Sequence, residues 1–112
     1  MGSLRNLRTG AILARCVKVA ETSGARSLQL RSRDVIRSDD GLWLDDCREI
    51  DTFGMRVAID ILFLDETRRV LAAHLGVAPN QREIRCARAC SAVQLGESAD
   101  RDVRHGDVLA LD

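Results

Sequence analysis

From Val57 to Leu64 the chain is apolar at every position except Asp60. Valine, isoleucine and phenylalanine in a run of this length predict a strand. Side chains alternate across a strand, so Val57, Ile59, Ile61 and Phe63 share one face, and Ala58, Asp60, Leu62 and Leu64 share the other. With both faces apolar, the strand belongs in the middle of the molecule with a packed layer on each side. A carboxylate there is costly unless it is protonated or hydrogen-bonded. Asp60 is therefore either satisfied by a structural partner or part of a site.

The flanking pattern predicts further short strands. Leu4–Leu7 reads as an edge strand. A turn at Arg8-Thr9-Gly10 joins it to a strand over 11–19, with Leu13, Arg15, Val17 and Val19 on one side. A short helix is expected over 20–30, capped by Thr22 or Ser23. Val35 and Ile36 interrupt a polar stretch and are expected to plug into the core. Gly41–Leu44 is a short strand anchored by Trp43. Gly54 permits the tight bend that leads into the central run. Asp65–Arg68 is a hairpin loop by length, and 69–77 is the returning strand, closed by Pro79. A strand over 89–95 follows, then a helical turn over 99–103 capped by Ser98, a turn at His105–Asp107, and a last strand over 108–111. The expected fold is a mainly β (α+β) single domain over residues 1–112, a compact sandwich or barrel-like body with two short helices.

Composition narrows the function classes. A chain of 112 residues with 46% hydrophobic and 30% charged residues can bury a core without a disulfide or metal. No apolar run reaches the ~20 residues of a membrane span, and the N-terminus lacks a secretory core, which predicts a cytoplasmic protein with no membrane role. Net charge is zero but uneven. Residues 1–37 carry eight basic and two acidic side chains, and residues 38–66 carry two basic and nine acidic. The two segments are expected to attract one another in the fold. A nucleic-acid face is disfavoured, because there is no tyrosine and only Trp43, Phe53 and Phe63 are available to stack on bases. The spacing of Cys16, Cys47, Cys86 and Cys90 fits no zinc signature. They are expected to be buried or half-buried free thiols.

The candidate site residues lie around the central run: Asp51, Thr52, Met55, Arg56, Asp60 and Trp43. Each has a structural alternative. Trp43 and Met55 are ordinary core side chains, His74 an ordinary strand residue, and Asp65 a turn residue. Arg56 sits four residues before Asp60, ~13 Å away along a strand, so the two cannot pair directly. No phosphate loop, nucleophile elbow, HExxH or paired-cysteine motif occurs, so no catalytic residue, cofactor or metal site is assigned. Asp51, Asp60 and Asp65 are the carboxylates that an acid/base pair would draw on.

Several motifs resemble one family. These are Asn-x-x-Thr-Gly at 6–10, Ala-x-x-x-x-x-Arg at 20–26, Gly-Leu-x-Leu at 41–44, Cys-x-x-Ile-x-Thr-Phe-Gly-Met-Arg at 47–56, Ile-Asp-x-x-Phe-Leu-Asp at 59–65, and Gly-Asp-x-Leu at 106–109. Together they are similar to the uncharacterised bacterial and archaeal family called domain of unknown function 192. The resemblance implies a compact, mainly β domain and supplies no activity. The chain departs from the family pattern at Asp51, where histidine is usual, and at Val57-Ala58, where Phe-Pro is usual. Gln29-Leu-Arg-Ser-Arg33 stands for a Gly-Leu-Leu-Gly-Arg element, and Val93-Gln94-Leu95 for Leu-Glu-Leu. A chemical role for the family's histidine or glutamate would be lost here.

These readings lead to three expectations. The first is a non-enzymatic module binding a small molecule or a protein at the surface near Asp51–Arg56, with Trp43 and Arg82 at its rim. The second is a carboxylate-using or carbohydrate-active enzyme. The third is a structural or assembly module, monomeric or weakly dimeric, that pairs through an edge strand.

Overall fold

A computed structural model of the chain describes residues 2–20 and 30–112. Among these residues nine strands form: β1 (Gly2–Asn6), β2 (Ile12–Val19), β3 (Asp40–Asp45), β4 (Glu49–Ile50), β5 (Ile59–Leu64), β6 (Val70–Val77), β7 (Ile84–Arg85), β8 (Ser91–Gly96) and β9 (Leu109–Leu111). Seven of them make one sheet in the order β6-β5-β8-β3-β2-β1-β9, and β4 pairs with β7 in a separate ribbon. The β2–β3 pairing is parallel and the others are antiparallel.

The large sheet curls into a half-barrel. Its two edges meet where Arg69 and Val108 form an antiparallel bridge. There the Leu109 N–H donates to the Arg68 carbonyl and the Val70 N–H to the Asp107 carbonyl. Closing a sheet in this way removes part of the exposed edge that would otherwise invite pairing with another chain.

β5 occupies the position its pattern predicts. It lies between β6 and β8, and every one of its residues is buried. Leu62 and Leu64 point into the half-barrel, where they join Leu4, Val17, Trp43, Val93, Leu95 and Leu109. Ile59, Ile61 and Phe63 belong to the opposite face, where Leu42, Leu44 and Ala92 are covered by Ile36, Ile50, Met55 and Ala89 from outside the large sheet. Each fully buried side chain of this size contributes roughly 1.5–3 kcal/mol. The outer apolar layer therefore pins the 47–57 segment and the β4–β7 ribbon onto the sheet.

Several local expectations are corrected. β1 is not an edge strand, because β9 returns from the far end of the chain to pair with it. The β1–β2 register shifts twice, so Leu13, Ala14 and Val17 are buried while Arg15 and Val19 are exposed. The central strand starts at Ile59; Val57 precedes it and packs against the outer cluster. Ile36 enters the core, but Val35 is exposed. The helix expected over 20–30 falls on residues 21–29, outside the described residues. The helical turn expected over 99–103 is not a helix. Arg101 and Val103 are both buried. A helix would turn side chains two apart to different sides, whereas an extended path sends both the same way. Among the described residues there is no helix, and none long and apolar enough to cross a membrane.

None of the four cysteines is in a disulfide; Cys16 is exposed and the other three are half-buried. Cys16 departs from expectation because it lies on the outward side of β2. The uneven charge is partly resolved as expected, through Arg15–Asp39, Arg31–Asp51 and Arg33–Asp40, while Arg56–Asp34 joins the two segments with the signs reversed. Arg5 and Arg8 instead pair with carboxylates at the C-terminal end.

Candidate functional site

Asp60 lies at one end of the half-barrel interior, with its side chain fully buried. Its Oδ1 accepts the Gly76 N–H at 2.8 Å; its Oδ2 accepts the Ser98 N–H at 3.2 Å and Arg101 Nη1 at 2.6 Å. Arg101 also donates to the carbonyls of Gly96, Leu13 and Ser38. One buried guanidinium thus ties β5, the end of β8, β2 and the turn before β3. Burial pushes the Arg101 pKa down from its ordinary value, and the charge and hydrogen bond of Asp60 oppose that shift. A buried charge pair persists when hydrogen bonds take up the remaining donors and acceptors, as they do here. Asp60 is a scaffold residue in this geometry. The strand pattern revealed its burial but not its partner: Arg101 lies in a short polar stretch that carries no periodic signal.

The Asp51–Arg56 segment sits on the other side of the sheet, in the outer layer. Thr52 is buried and anchors it. Its hydroxyl donates to the Ala78 carbonyl at 2.7 Å and accepts the Gln81 N–H at 2.9 Å. Its backbone N–H donates to Gln81, and its carbonyl accepts from Met55 and Asn80. Gly54, at φ 79°, makes the bend, and its N–H donates to Asn80 Oδ1 at 3.0 Å. Met55 packs into the outer core. Arg56 is exposed and pairs with Asp34.

The anchored bend leaves two side chains turned to solvent. The Asp51 carboxylate is about half exposed (46%); it accepts the Phe53 N–H at 2.9 Å and pairs with Arg31 at 3.0 Å. Phe53 is 49% exposed, and the Arg82 guanidinium stacks over its ring at 4.4 Å. Arg31 also donates to the Phe53 carbonyl. Two adjoining clefts share Glu49 and Asp51. One, of about 350 Å³, includes Phe53, Arg82 and Glu83. The other, of about 190 Å³, includes Arg31, Cys47 and Gln94.

The structure therefore brings Asp51 and Arg82 to one surface, with Thr52 and Met55 buried beneath it, while Arg56 lines neither cleft. Asp60 and Trp43 are not part of it. Trp43 is a member of the inner cluster, on the opposite face of β3 from the outer layer, and its Nε1–H donates to Asp45 Oδ1 at 2.8 Å. Sequence reasoning missed Arg31 and Glu49 as cleft residues, and Phe53 as its exposed aromatic. Only Phe53 carried a signal, as an aromatic beside a bend glycine. Among the described residues no group of three or more His, Cys, Asp or Glu is placed to hold a metal ion.

Comparison with known proteins agrees with this architecture. The family model DUF192, described as "Uncharacterized ACR", matches residues 5–111. A solved structure of a protein of unknown function from Novosphingobium aromaticivorans DSM 12444 superposes with a TM-score of 0.81 at 17% identity, covering 96% of this chain and 83% of that one. A second, from Sinorhizobium meliloti 1021 and described as a candidate transcription regulator, gives 0.79 at 18% identity, covering 98% and 92%. At these identities the likeness concerns the fold. No curated protein matches the chain.

Proposed function

The chain belongs to the DUF192 family, and from that premise we propose that it is a non-catalytic binding module. It engages a small polar ligand or a partner's polypeptide at the double cleft around Asp51. The observation that carries this reading is the construction of the 51–55 bend. Thr52 clamps its backbone to residues 78–81, while Phe53 and the Asp51 carboxylate are left in water above adjoining clefts. A surface that is held rigid and still exposes an aromatic ring loses little conformational entropy on binding.

The acid/base pair of Asp51 and Asp60 is disfavoured, because two such carboxylates must face one cleft. Asp60 is in the interior with both oxygens hydrogen-bonded, and Asp51 is in the outer layer beside Glu49 and Glu83. A nucleic-acid role is also disfavoured. Among the described residues ten arginines stand in ion pairs, which leaves little unopposed positive charge for phosphates.

The test is a thermal-shift screen of the wild-type protein against sugars, nucleotides and short peptides, repeated with Asp51→Asn and Phe53→Ala. The expected result is a stabilising ligand whose shift is lost in both variants while their unliganded melting temperatures stay close to wild type. A ligand shift that survives both substitutions would place binding elsewhere and refute the reading.

A further inference from the structure

We infer that the smaller of the two clefts around Asp51 takes a neutral ligand presenting a hydrogen-bond donor and acceptor side by side, as a primary carboxamide or a cyclic imide does, and that Gln94 reads that pair. This names the ligand class of the surface proposed above and rests on that reading. Gln94 lies on β8 in the large sheet, between Leu42 of β3 and Ile61 of β5. Its chain neighbours Val93 and Leu95 belong to the inner cluster, so alternation turns Gln94 to the outer face. Leu42, Leu44, Ile61 and Ala92 around it on that face are apolar.

Gln94 is only 8% exposed. Its carboxamide carries two N–H donors and a carbonyl acceptor. Among the described residues that side chain makes no hydrogen bond to the protein. A buried polar group without a partner is costly, and folded interiors keep few of them. An apolar side chain of the same shape would fill the position without that cost. The carboxamide faces the cleft instead, with Leu44 and Ile50 as apolar walls. The volume of about 190 Å³ is that of about six water molecules, which limits the occupant to a small molecule. The charged groups of the lining are already answered. Arg31 pairs with Asp51, and Glu49 pairs with Arg85. The Cys47 thiol donates to the Glu49 carbonyl. An ionic ligand would have to break one of these pairs, and an apolar one would leave the carboxamide unsatisfied. A neutral group that both donates and accepts, in two parallel hydrogen bonds, meets what Gln94 offers.

The experiment titrates nicotinamide and uracil into the nitrogen-15-labelled full chain. It follows the Gln94 side-chain N–H signal, assigned by its loss in Gln94→Met, and the backbone amides of residues 49–51. Methyl nicotinate and dimethyluracil methylated at both ring nitrogens keep the rings without the N–H donors and serve as controls. Saturable movement with the first pair and not with the controls is expected. Gln94→Met keeps the length of the side chain and removes its hydrogen bonds. It should melt no lower than wild type and bind at least about tenfold more weakly, the worth of two neutral hydrogen bonds. No movement with any compound would mean that water alone fills the cleft, and equal movement with the controls would mean ring packing without amide recognition. Either result, or unaltered affinity in Gln94→Met, would overturn the inference. A ligand from the screen above whose stabilisation is lost in Asp51→Asn and Phe53→Ala but kept in Gln94→Met would leave the binding surface standing and overturn only the role given to Gln94.

Discussion

Asp51 and Asp60 flank the same bend in the chain and carry the same side chain, yet they live in opposite environments. Asp60 faces the interior and is saturated: two backbone N–H groups and a buried arginine occupy its oxygens. Asp51 faces water, and its charged partner Arg31 is itself part of a cleft wall. The difference teaches how this fold divides labour. A charge sealed inside the half-barrel persists only when its hydrogen-bonding capacity is used up, which leaves none for a ligand. A charge on a clamped surface bend contributes little to stability and is available for recognition.

The sharpest way to break that contrast is to remove one partner of the buried pair. Arg101→Met leaves Asp60 uncompensated and Asp60→Asn leaves Arg101 so. Each is expected to destabilise the fold by about 3–5 kcal/mol, lowering the melting temperature by on the order of 10–20 °C in calorimetry. The double variant should lose less than the sum of the two. Equal, small effects of all three would mean the pair is not the interior tie described here.

The next effect concerns the clamp beneath the cleft. Thr52→Val keeps the shape and removes the hydroxyl that serves Ala78 and Gln81. Leaving those backbone groups unsatisfied costs about 1–3 kcal/mol. Amide exchange at residues 78–81 and 52–55 should speed up, while the barrel strands stay protected.

A third test uses pH at the seam where the sheet edges meet. Asp107 accepts from the Arg8 and Asn6 side chains and the Arg104 N–H, and its pKa is lowered to about 2, with the Arg8 hydrogen bond the main cause. Its folded pKa lies below the unfolded one, near 3.8. Its contribution is therefore complete above the unfolded value and is lost as pH falls from about 4 to about 2. Urea midpoints measured across that window should fall with decreasing pH, and Asp107→Asn should flatten the slope. The smallest effect belongs to Asp51→Asn, expected to cost less than about 1 kcal/mol at neutral pH because its ion pair is solvated. A loss as large as that of Asp60→Asn would erase the comparison.

Much of the fold was legible because alternation and turn chemistry are local. The 57–64 run announced a strand covered on both faces, Asp65–Arg68 a hairpin, and Gly54 a left-handed bend. Pairings between distant segments left no such trace. Nothing near Leu4 indicates that β9 will lie beside β1, and nothing near residue 99 indicates that an extended segment will carry Arg101 into the barrel. The candidate site was legible to the same extent. The Thr52–Met55 motif drew notice, but Trp43, on the other face of β3, was grouped with it because faces are assigned only once strands are paired.

What the chain determines by itself is the alternation that makes each strand two-faced, the bends that separate them, and the requirement that a buried carboxylate find donors. What tertiary structure alone decides is which donors those are, which edge strands meet, and which exposed acids share a cleft. These depend on contacts between residues far apart in sequence, whose free energy appears only after the loops between them have closed.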